Sequence, residues 1–500
     1  MTSLIIILSV LLLLIIILQI GRINEITAGL RGEEETEVKN ANSNGIWLVI
    51  YCAIFLIACF VSAYYYLPYM LGYGPHQAAS AHGGLIDNLF SVTLLFTGIV
   101  FVLCHIALFW FSYKYRYKVG RKILFMPDNH KLEIIWTAIP ALVMTILVVQ
   151  GLVTWNKVMA DVKDGDDFIE IEATGWQFAW NLRYPGADGK LGVKDYRLIK
   201  PGKNELGQDW NDTRNHDDFN ANELVLPKGK KIRVRISARD VLHNFYLPHF
   251  RVKMDAVPGL PTYFIFTPIK TTDEYRQELR KYPEYNIPSD PTDPKSPPKW
   301  QAFDYELACA ELCGKGHYSM RKLVKIVNED EYNTWLSAQK SYYLTSVRNT
   351  DEDPFKGKNV KIELESKAIE LESNLRKALD TSANSGSRTL VLDNIYFETG
   401  ASTLSNDSEY ALNVISKAFT KYPNLKVEVS GHSDNVGEPA SNLTLSQERA
   451  NSVKNYLTSK GANSGSINAI GMGQNRPIAD NSTDEGKAKN RRIEFKILSF

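Results

Sequence analysis

The chain has 500 residues, more than one ordinary domain, so two or three units joined by linkers are expected. Its 57 Lys and Arg balance 56 Asp and Glu, which gives no reason to expect a nucleic-acid partner. None of its five cysteines begins a Cys-x-x-Cys-His, so no haem of the c type is expected on this chain.

Residues 1–160 contain four long apolar stretches, at about 4–20, 46–67, 89–111 and 134–155. A helix needs ~20 apolar residues to cross a bilayer, so four transmembrane helices are expected in a lipid environment. Cys52, Cys59 and Cys104 fall in these runs and read as small buried hydrophobes. The segment 112–133 carries six basic residues (Lys114, Arg116, Lys118, Arg121, Lys122, Lys131), and 68–88 carries none. The excess of positive charge on cytoplasmic loops places 112–133 inside and everything after the fourth helix outside. Residues 21–45 then lie inside, and the first helix starts outside. That helix lacks a basic leader and a small-residue cleavage site, so it reads as retained. Glu133 opens the fourth helix, where a carboxylate complements the helix dipole. His105, inside the third, reads as a neutral, hydrogen-bonded histidine.

From 165 to 345 the pattern changes to short alternating runs, Ile169/Ile171, Ile232/Val234/Ile236 and Phe264/Phe266, separated by Pro and Gly. This predicts a small all-β sandwich or barrel. Trp176, Phe178 and Trp180 alternate and are expected on one face of a single strand. Residues 270–299, rich in Pro and charge, read as an exposed insertion. Cys309, Glu311, Cys313, His317 and Met320 then fall within twelve residues, and His243 is the best placed further ligand. Thiolate, thioether and imidazole donors together select copper. A second cysteine offers a second bridging sulfur, and so a pair of copper ions sharing one electron. On spacing alone, a disulfide and a tetrahedral zinc site stay open.

Residues 346–387 read as a helical and flexible linker. The stretch 349–357 is polar, Leu364, Ala368, Leu371, Leu375 and Ala378 recur at helical spacing, and 381–387 is rich in Ser, Gly and Asn. Residues 388–500 read as an α/β unit, with strands at 389–392, 427–430 and 493–497 and helices at 408–421 and 446–457. Asp434 follows the second strand, Asn442 comes next, and Arg449 lies on the following helix.

His243 with Cys-x-Glu-x-Cys-x3-His-x2-Met resembles the dinuclear copper (CuA) motif of cytochrome c oxidase subunit II. The resemblance implies a cupredoxin-like domain in which Cys309 and Cys313 bridge two copper ions. His243, His317 and Met320 cap them, and Glu311 gives its backbone carbonyl. It implies electron uptake from a c-type cytochrome, delivery to the haem centre of subunit I, and assembly with other oxidase subunits. Glu-x-x-Trp-Thr-x-x-Pro, starting at Glu133, is similar to the family segment whose glutamate sits at the mouth of a proton channel. Phe178 stands where many relatives carry the tryptophan that receives the electron, which leaves Trp176 and Trp180 as substitutes. A quinol oxidase subunit shares this fold but lacks copper, and the complete ligand set opposes it. A non-enzymatic, wall-anchored copper protein is the alternative. A copper relay of the nitrous-oxide-reductase type would need a second, histidine-rich centre, which nine scattered histidines do not supply.

Gly431-His432-Ser433-Asp434-Asn435-x-Gly437, Asn442-x-x-Leu445-Ser446-x-x-Arg449-Ala450 and Asn490-Arg491-Arg492 resemble the OmpA-like peptidoglycan-binding domain. The resemblance implies that Asp434 receives the ammonium and Arg449 the carboxylate of a diaminopimelate group, with Asn442 shaping the loop. The whole chain is thus expected to run from transmembrane helices through a cupredoxin-like β domain to an α/β OmpA-like domain.

Overall fold

The computed structural model describes residues 2–70, 77–123, 125–163, 165–380, 388–392, 394–398 and 400–500. Apolar side chains on every face produce four long helices, α1 (Thr2–Arg31), α2 (Glu33–Met70), α3 (Gly83–Lys114) and α4 (His130–Val158). All four are long and apolar enough to cross a membrane. Each runs past its predicted span, because hydropathy marks only the part matched to hydrocarbon while polar flanks remain helical. Glu33, Glu34 and Glu35 fill the first turn of α2, where negative charge meets the positive end of the dipole. Asn129 caps α4 by accepting a hydrogen bond from Leu132 N at 3.2 Å. Residues 21–45, expected between two spans, are helical on both sides of Gly32.

Contacts at the two ends of α3 fix directions. Just past its C-terminus, Arg116 Nε donates to Asn42 Oδ1 of α2 at 2.5 Å, so α2 and α3 are antiparallel. His105, midway along α3, lies against Phe55 and Phe101, and its Nδ1 is 2.7 Å from Phe101 O. Before α3, the chain is stitched to the β domain. Ala79 N donates to His249 O at 2.7 Å, Ile269 N donates to Ala79 O at 2.9 Å, and Ser80 Oγ donates to Phe250 O at 2.6 Å. Arg251 pairs with Asp87 at 2.7 Å. The basic segment after α3 therefore lies at the opposite end of the helix from the β domain.

The β domain contains β1 (Phe168–Trp176), β2 (Ala179–Tyr184), β3 (Phe219–Ala221), β4 (Leu224–Pro227), β5 (Lys231–Ala238), β6 (His243–Leu247), β7 (Val252–Ala256), β8 (Thr262–Phe266), α5 (Thr272–Leu279), β9 (Tyr305–Cys309), β10 (Arg321–Val327) and α6 (Glu329–Ser337). Two five-stranded sheets form, in the orders β3-β2-β1-β5-β8 and β4-β10-β9-β6-β7. Alternation drives the inward faces. Ile232, Val234 and Ile236 of β5 and Phe245 and Leu247 of β6 are fully buried. Trp180 of one sheet meets Phe245 of the other edge-on, with centroids 5.8 Å apart.

Two expectations need correction here. Trp176, Phe178 and Trp180 do not share a strand face. Trp176 pairs with Ala179 across a two-residue hairpin turn, so the alternation crosses a reversal of the chain. The segment 270–299 is not wholly an exposed insertion. A capping box of Thr271 and Glu274 starts α5, which buries Tyr275 and Leu279 against the domain.

By packing, Met1–Tyr184 and Asn220–Gln339 form one unit, and Pro185–Phe219 and Lys340–Phe500 form another. The division thus falls at Gln339 rather than at 345, Pro185–Phe219 joins the second unit, and the linker expected at 346–387 is helical over Lys361–Ala378. The ring of His216 stacks on Tyr343 with centroids 4.1 Å apart, and Trp210 closes the same small core with Val347 and Val360. Asp353 locks the chain reversal there. Burial opposes its charge, yet hydrogen bonds from Tyr343 Oη, Asn349 N, Arg348 and Phe355 N outweigh that and hold its carboxyl at about 2. Next, α7 (Lys361–Ala378) buries Leu364, Ala368, Leu371, Leu375 and Ala378. The last three enter the core of the C-terminal domain. The hinge expected at 381–387 lies outside the described residues.

That domain follows as β11 (Thr389–Leu392), α8 (Glu409–Lys421), β12 (Lys426–His432), α9 (Pro439–Ser459), β13 (Ile467–Gly473), α10 (Asp484–Asn490) and β14 (Ile493–Ser499). Its sheet order is β11-β14-β12-β13. α9 lies close over β12. A Cβ on Gly431 would stand 2.2 Å from Ser446 O, so only glycine permits the approach. β13 and α10 were not predicted. Glycines interrupt the alternation of β13, and α10 is too short for a helical period to register.

Candidate functional site

Strand pairing assembles the soft donors. Phe245 of β6 pairs with Cys309 of β9, so His243, two residues along β6, shares the Cys309 face. β9 and β10 pair with Arg321 opposite Ala308, which closes residues 310–320 into a loop and returns Met320 to the thiols. Cys309 Sγ lies 3.8 Å from His243 Nδ1 and 4.0 Å from Cys313 Sγ. Cys313 Sγ lies 3.6 Å from His317 Nδ1 and 3.4 Å from Met320 Sδ. The Glu311 backbone carbonyl is 3.2 Å from Cys309 Sγ. Both cysteines are free thiols, so the disulfide reading does not hold.

The surroundings orient these donors. Asp240 Oδ1 accepts from His243 Nε2 at 2.8 Å, which leaves Nδ1 as the lone-pair nitrogen facing the sulfurs. Burial works against the Asp240 charge, but bonds from Gln177 N, His243 and Val241 N hold its carboxyl below the usual range. Gln177 Nε2 also donates to Cys313 O at 2.5 Å. Neither Asp240 nor Gln177 was identified from the sequence as part of the site. Burial first, and then Cys309, pushes the Cys313 thiol up to about 11. Two sulfurs this close and this dry become thiolates only when cations compensate them, and metal binding expels their protons.

The aromatic candidates separate. Trp180 is 2 % exposed and meets the His243 ring edge-on at 6.2 Å, so it is an internal contact. Trp176 is half-buried, with the Arg239 guanidinium 4.7 Å above its ring. Phe178 is at the surface, and its ring covers Gly316, where a Cβ would stand 2.5 Å away. Beside the half-buried His317, Leu312 and Tyr318 are more than 80 % exposed. Glu133 lies in the first turn of α4, its carboxylate 3.1 Å from His130 Nδ1.

In the C-terminal domain, Asp434 sits in the loop between β12 and α9. Its Oδ1 accepts from Val436 N at 3.1 Å. Its ion-pair partner is Arg491, at 2.7 Å, a residue of the sequence motif to which no role was assigned. Arg449 instead donates Nε to Ala401 O at 3.1 Å and lies 4.9 Å over the Phe397 ring. Burial and then Arg491 lower its pKa, while Asp434 opposes them, so both arginines share the field of one carboxylate. Asn442 Nδ2 donates to Asp434 O, Val436 O and Gln474 Oε1, which fixes the loop.

Three family models match the chain. Residues 68–153 match the cytochrome c oxidase subunit II transmembrane domain, 169–275 its periplasmic domain, and 396–491 the OmpA family. The chain is 34% identical over 269 residues to the alternative cytochrome c oxidase subunit 2 of Bradyrhizobium diazoefficiens, covering 53% of this chain and 84% of that protein. It is 26% identical over 282 residues to cytochrome c oxidase subunit 2 of Thermostichus vulcanus, covering 52% and 76%. Its C-terminal part is 39% identical over 98 residues to the peptidoglycan-binding protein ArfA of Mycobacterium bovis, covering 20% of this chain and 30% of that protein.

Proposed function

Because the chain belongs to the cytochrome c oxidase subunit II family and ends in an OmpA-family domain, we propose a relay with an anchor. It takes electrons singly from a c-type cytochrome, passes them to the haem centre of subunit I, and tethers the oxidase to peptidoglycan. Oxygen reduction to water, coupled to proton translocation, then belongs to subunit I.

The donor set carries this reading. Cys309, Cys313, His243, His317, Met320 and the Glu311 carbonyl supply six donors around two buried sulfurs. Were both sulfurs shared, the six donors would offer each of two metal ions four contacts. One tetrahedral zinc would leave the thioether and carbonyl idle. A copper pair held by these residues would supply a one-electron couple. The residues do the rest. Asp240 fixes the His243 tautomer, Gln177 pins the Cys313 loop, and the β strands hold both against movement. His317, half-buried among exposed Leu312, Tyr318 and Phe178, offers an apolar patch on which a cytochrome can seat. The full chain is expected to hold two coppers. Asp240→Ala is expected to weaken copper retention roughly 10- to 100-fold, the usual cost of losing a partner of a ligating histidine. Equal retention in a chelator titration would refute the role of Asp240, and one copper or zinc per wild-type chain would refute the site.

Glu133 is assigned to proton uptake, at the end of α4 far from the β domain. In the assembled oxidase, Glu133→Gln should slow turnover while electrons still arrive at the copper domain at the normal rate. A glutamate that only complements a dipole is worth about 0.3–1 kcal/mol to the helix, and its loss would leave turnover unchanged. The orientation follows from the basic loop. The membrane is the bacterial inner membrane, with the copper and C-terminal domains in the periplasm.

A further inference from the structure

We infer a further ligand site, separate from the copper centre and the wall-binding loop: a cavity in the unit built from Pro185–Phe219 and Lys340–Phe500 takes a small aliphatic amine in its ammonium form. The cavity measures about 470 Å3, a size usual for small-molecule sites, and all of its lining belongs to that one unit. His216 is the residue that asks for a ligand. It is 4 % exposed. Tyr343 stacks on its ring at 4.1 Å, Phe355 meets it edge-on at 5.5 Å, and its Nε2 donates to Trp210 O at 2.8 Å. With Nε2 as the donor, Nδ1 is an acceptor. Nδ1 has no partner among the described residues, and the cavity is the open side of the ring.

The charges around that acceptor select a cation. Lys361 pairs with Glu365 inside the lining at 3.6 Å, and Asn359 is bonded to Asp407 at 2.7 Å. Arg214, in the field of Asp188, is held by Asp212 at 2.9 Å. Asp217 and Asp188 remain. Asp217 Oδ2 accepts from Asp188 N at 2.9 Å, and Asp188 Oδ1 accepts from Lys190 N at 2.7 Å. Neither carboxylate has a lysine or arginine partner among the described residues. Burial raises the Asp217 carboxyl above its usual range, and the like charge of Asp188 adds to this against backbone donors, so a cation there relieves both. A metal ion is the poorer fit. Among the described residues, His243, Cys309 and Cys313 are the one group of such side chains close enough together to hold an ion. An ammonium carries three separate donors and so can serve acceptors too far apart to share a metal. Its carbon chain then lies against the apolar lining of Phe355, Val360 and Ile362.

The test uses the full chain in mild detergent, titrated with cadaverine or with pentanol and read by calorimetry. One cadaverine should bind per chain, and pentanol, which lacks the charge, should not. Asp217→Asn keeps the acceptor for Asp188 N and removes the charge, so it should weaken cadaverine binding roughly 10- to 100-fold. His216→Phe keeps a ring against Tyr343 and removes the Nδ1 acceptor, so it should weaken binding roughly 2- to 10-fold. Asp484→Asn, on exposed α10, should bind as the wild type does. No binding of cadaverine, equal binding of pentanol, or an unchanged affinity in Asp217→Asn would overturn the site. An equal fall in Asp484→Asn would reduce it to diffuse charge attraction, and displacement of cadaverine by stoichiometric magnesium would assign the cavity to a metal ion instead.

Discussion

Cys309→Ser is expected to abolish the electron paramagnetic resonance signature of one electron shared over two coppers. Cys309 lies 4.0 Å from Cys313, 3.8 Å from His243 Nδ1 and 3.2 Å from the Glu311 carbonyl, so its sulfur is the hub of that half of the site. A serine hydroxyl is shorter, harder, and not ionised at neutral pH, so it cannot bridge two soft ions. Met320→Leu makes the contrast. Met320 is fully buried, and a swap of similar volume costs less than about 1.5 kcal/mol. Both bridging sulfurs remain, so the shared-electron signal should persist while the reduction potential shifts, as it does when a weak axial ligand is lost. The measurement is metal content with resonance spectra on the full chain. A fragment ending at 345 would separate Tyr343 from residues that complete its small core, so a negative result there would be ambiguous. A Cys309→Ser protein that kept the wild-type spectrum would remove the sulfur bridge from the mechanism.

The metal loop was legible because its chemistry is local. Five of the six donors lie within twelve residues, and strand pairing adds only His243. What was illegible depends on distant partners. Asp240 is three residues from His243 and still carried no signal, since an aspartate in a loop has many uses. The stack of His216 on Tyr343 joins positions 127 apart in sequence, so 349–357 looked like a polar linker although Phe355 packs on that small core. The aromatic alternation around Phe178 misled for a different reason. Period two continues across a two-residue hairpin, and no glycine or proline marked the turn. In the C-terminal domain, the sequence placed Asp434 and Arg449 on neighbouring elements. It did not show that Arg491, 57 residues from Asp434, already neutralises the carboxylate.

That third charge sharpens the expectation for wall binding. The pocket holds two guanidinium groups and one carboxylate, a net positive site that calls for an anion. A diaminopimelate side chain brings a carboxylate for Arg449, and its ammonium must take Asp434 from Arg491. Arg491 is half exposed, so it can swing away without unfolding anything, whereas Asp434 is held by Val436 N and the loop that Asn442 fixes. Charge-assisted hydrogen bonds contribute about 1.5–3 kcal/mol each, so Arg449→Ala should weaken binding to purified sacculi about 10- to 100-fold. Asp434→Asn keeps the shape and removes the charge, and it should do the same while the melting temperature stays within a few degrees. Co-sedimentation of the detergent-solubilised full chain is the proper assay. A fragment starting at 385 lacks α7, whose Leu371, Leu375 and Ala378 complete the domain core. In intact cells the same contact reports orientation, since only an exported domain can be cross-linked to the wall. Equal sedimentation of the wild type and both variants would leave Asp434 and Arg449 as structural residues and remove the tether, without touching the copper site.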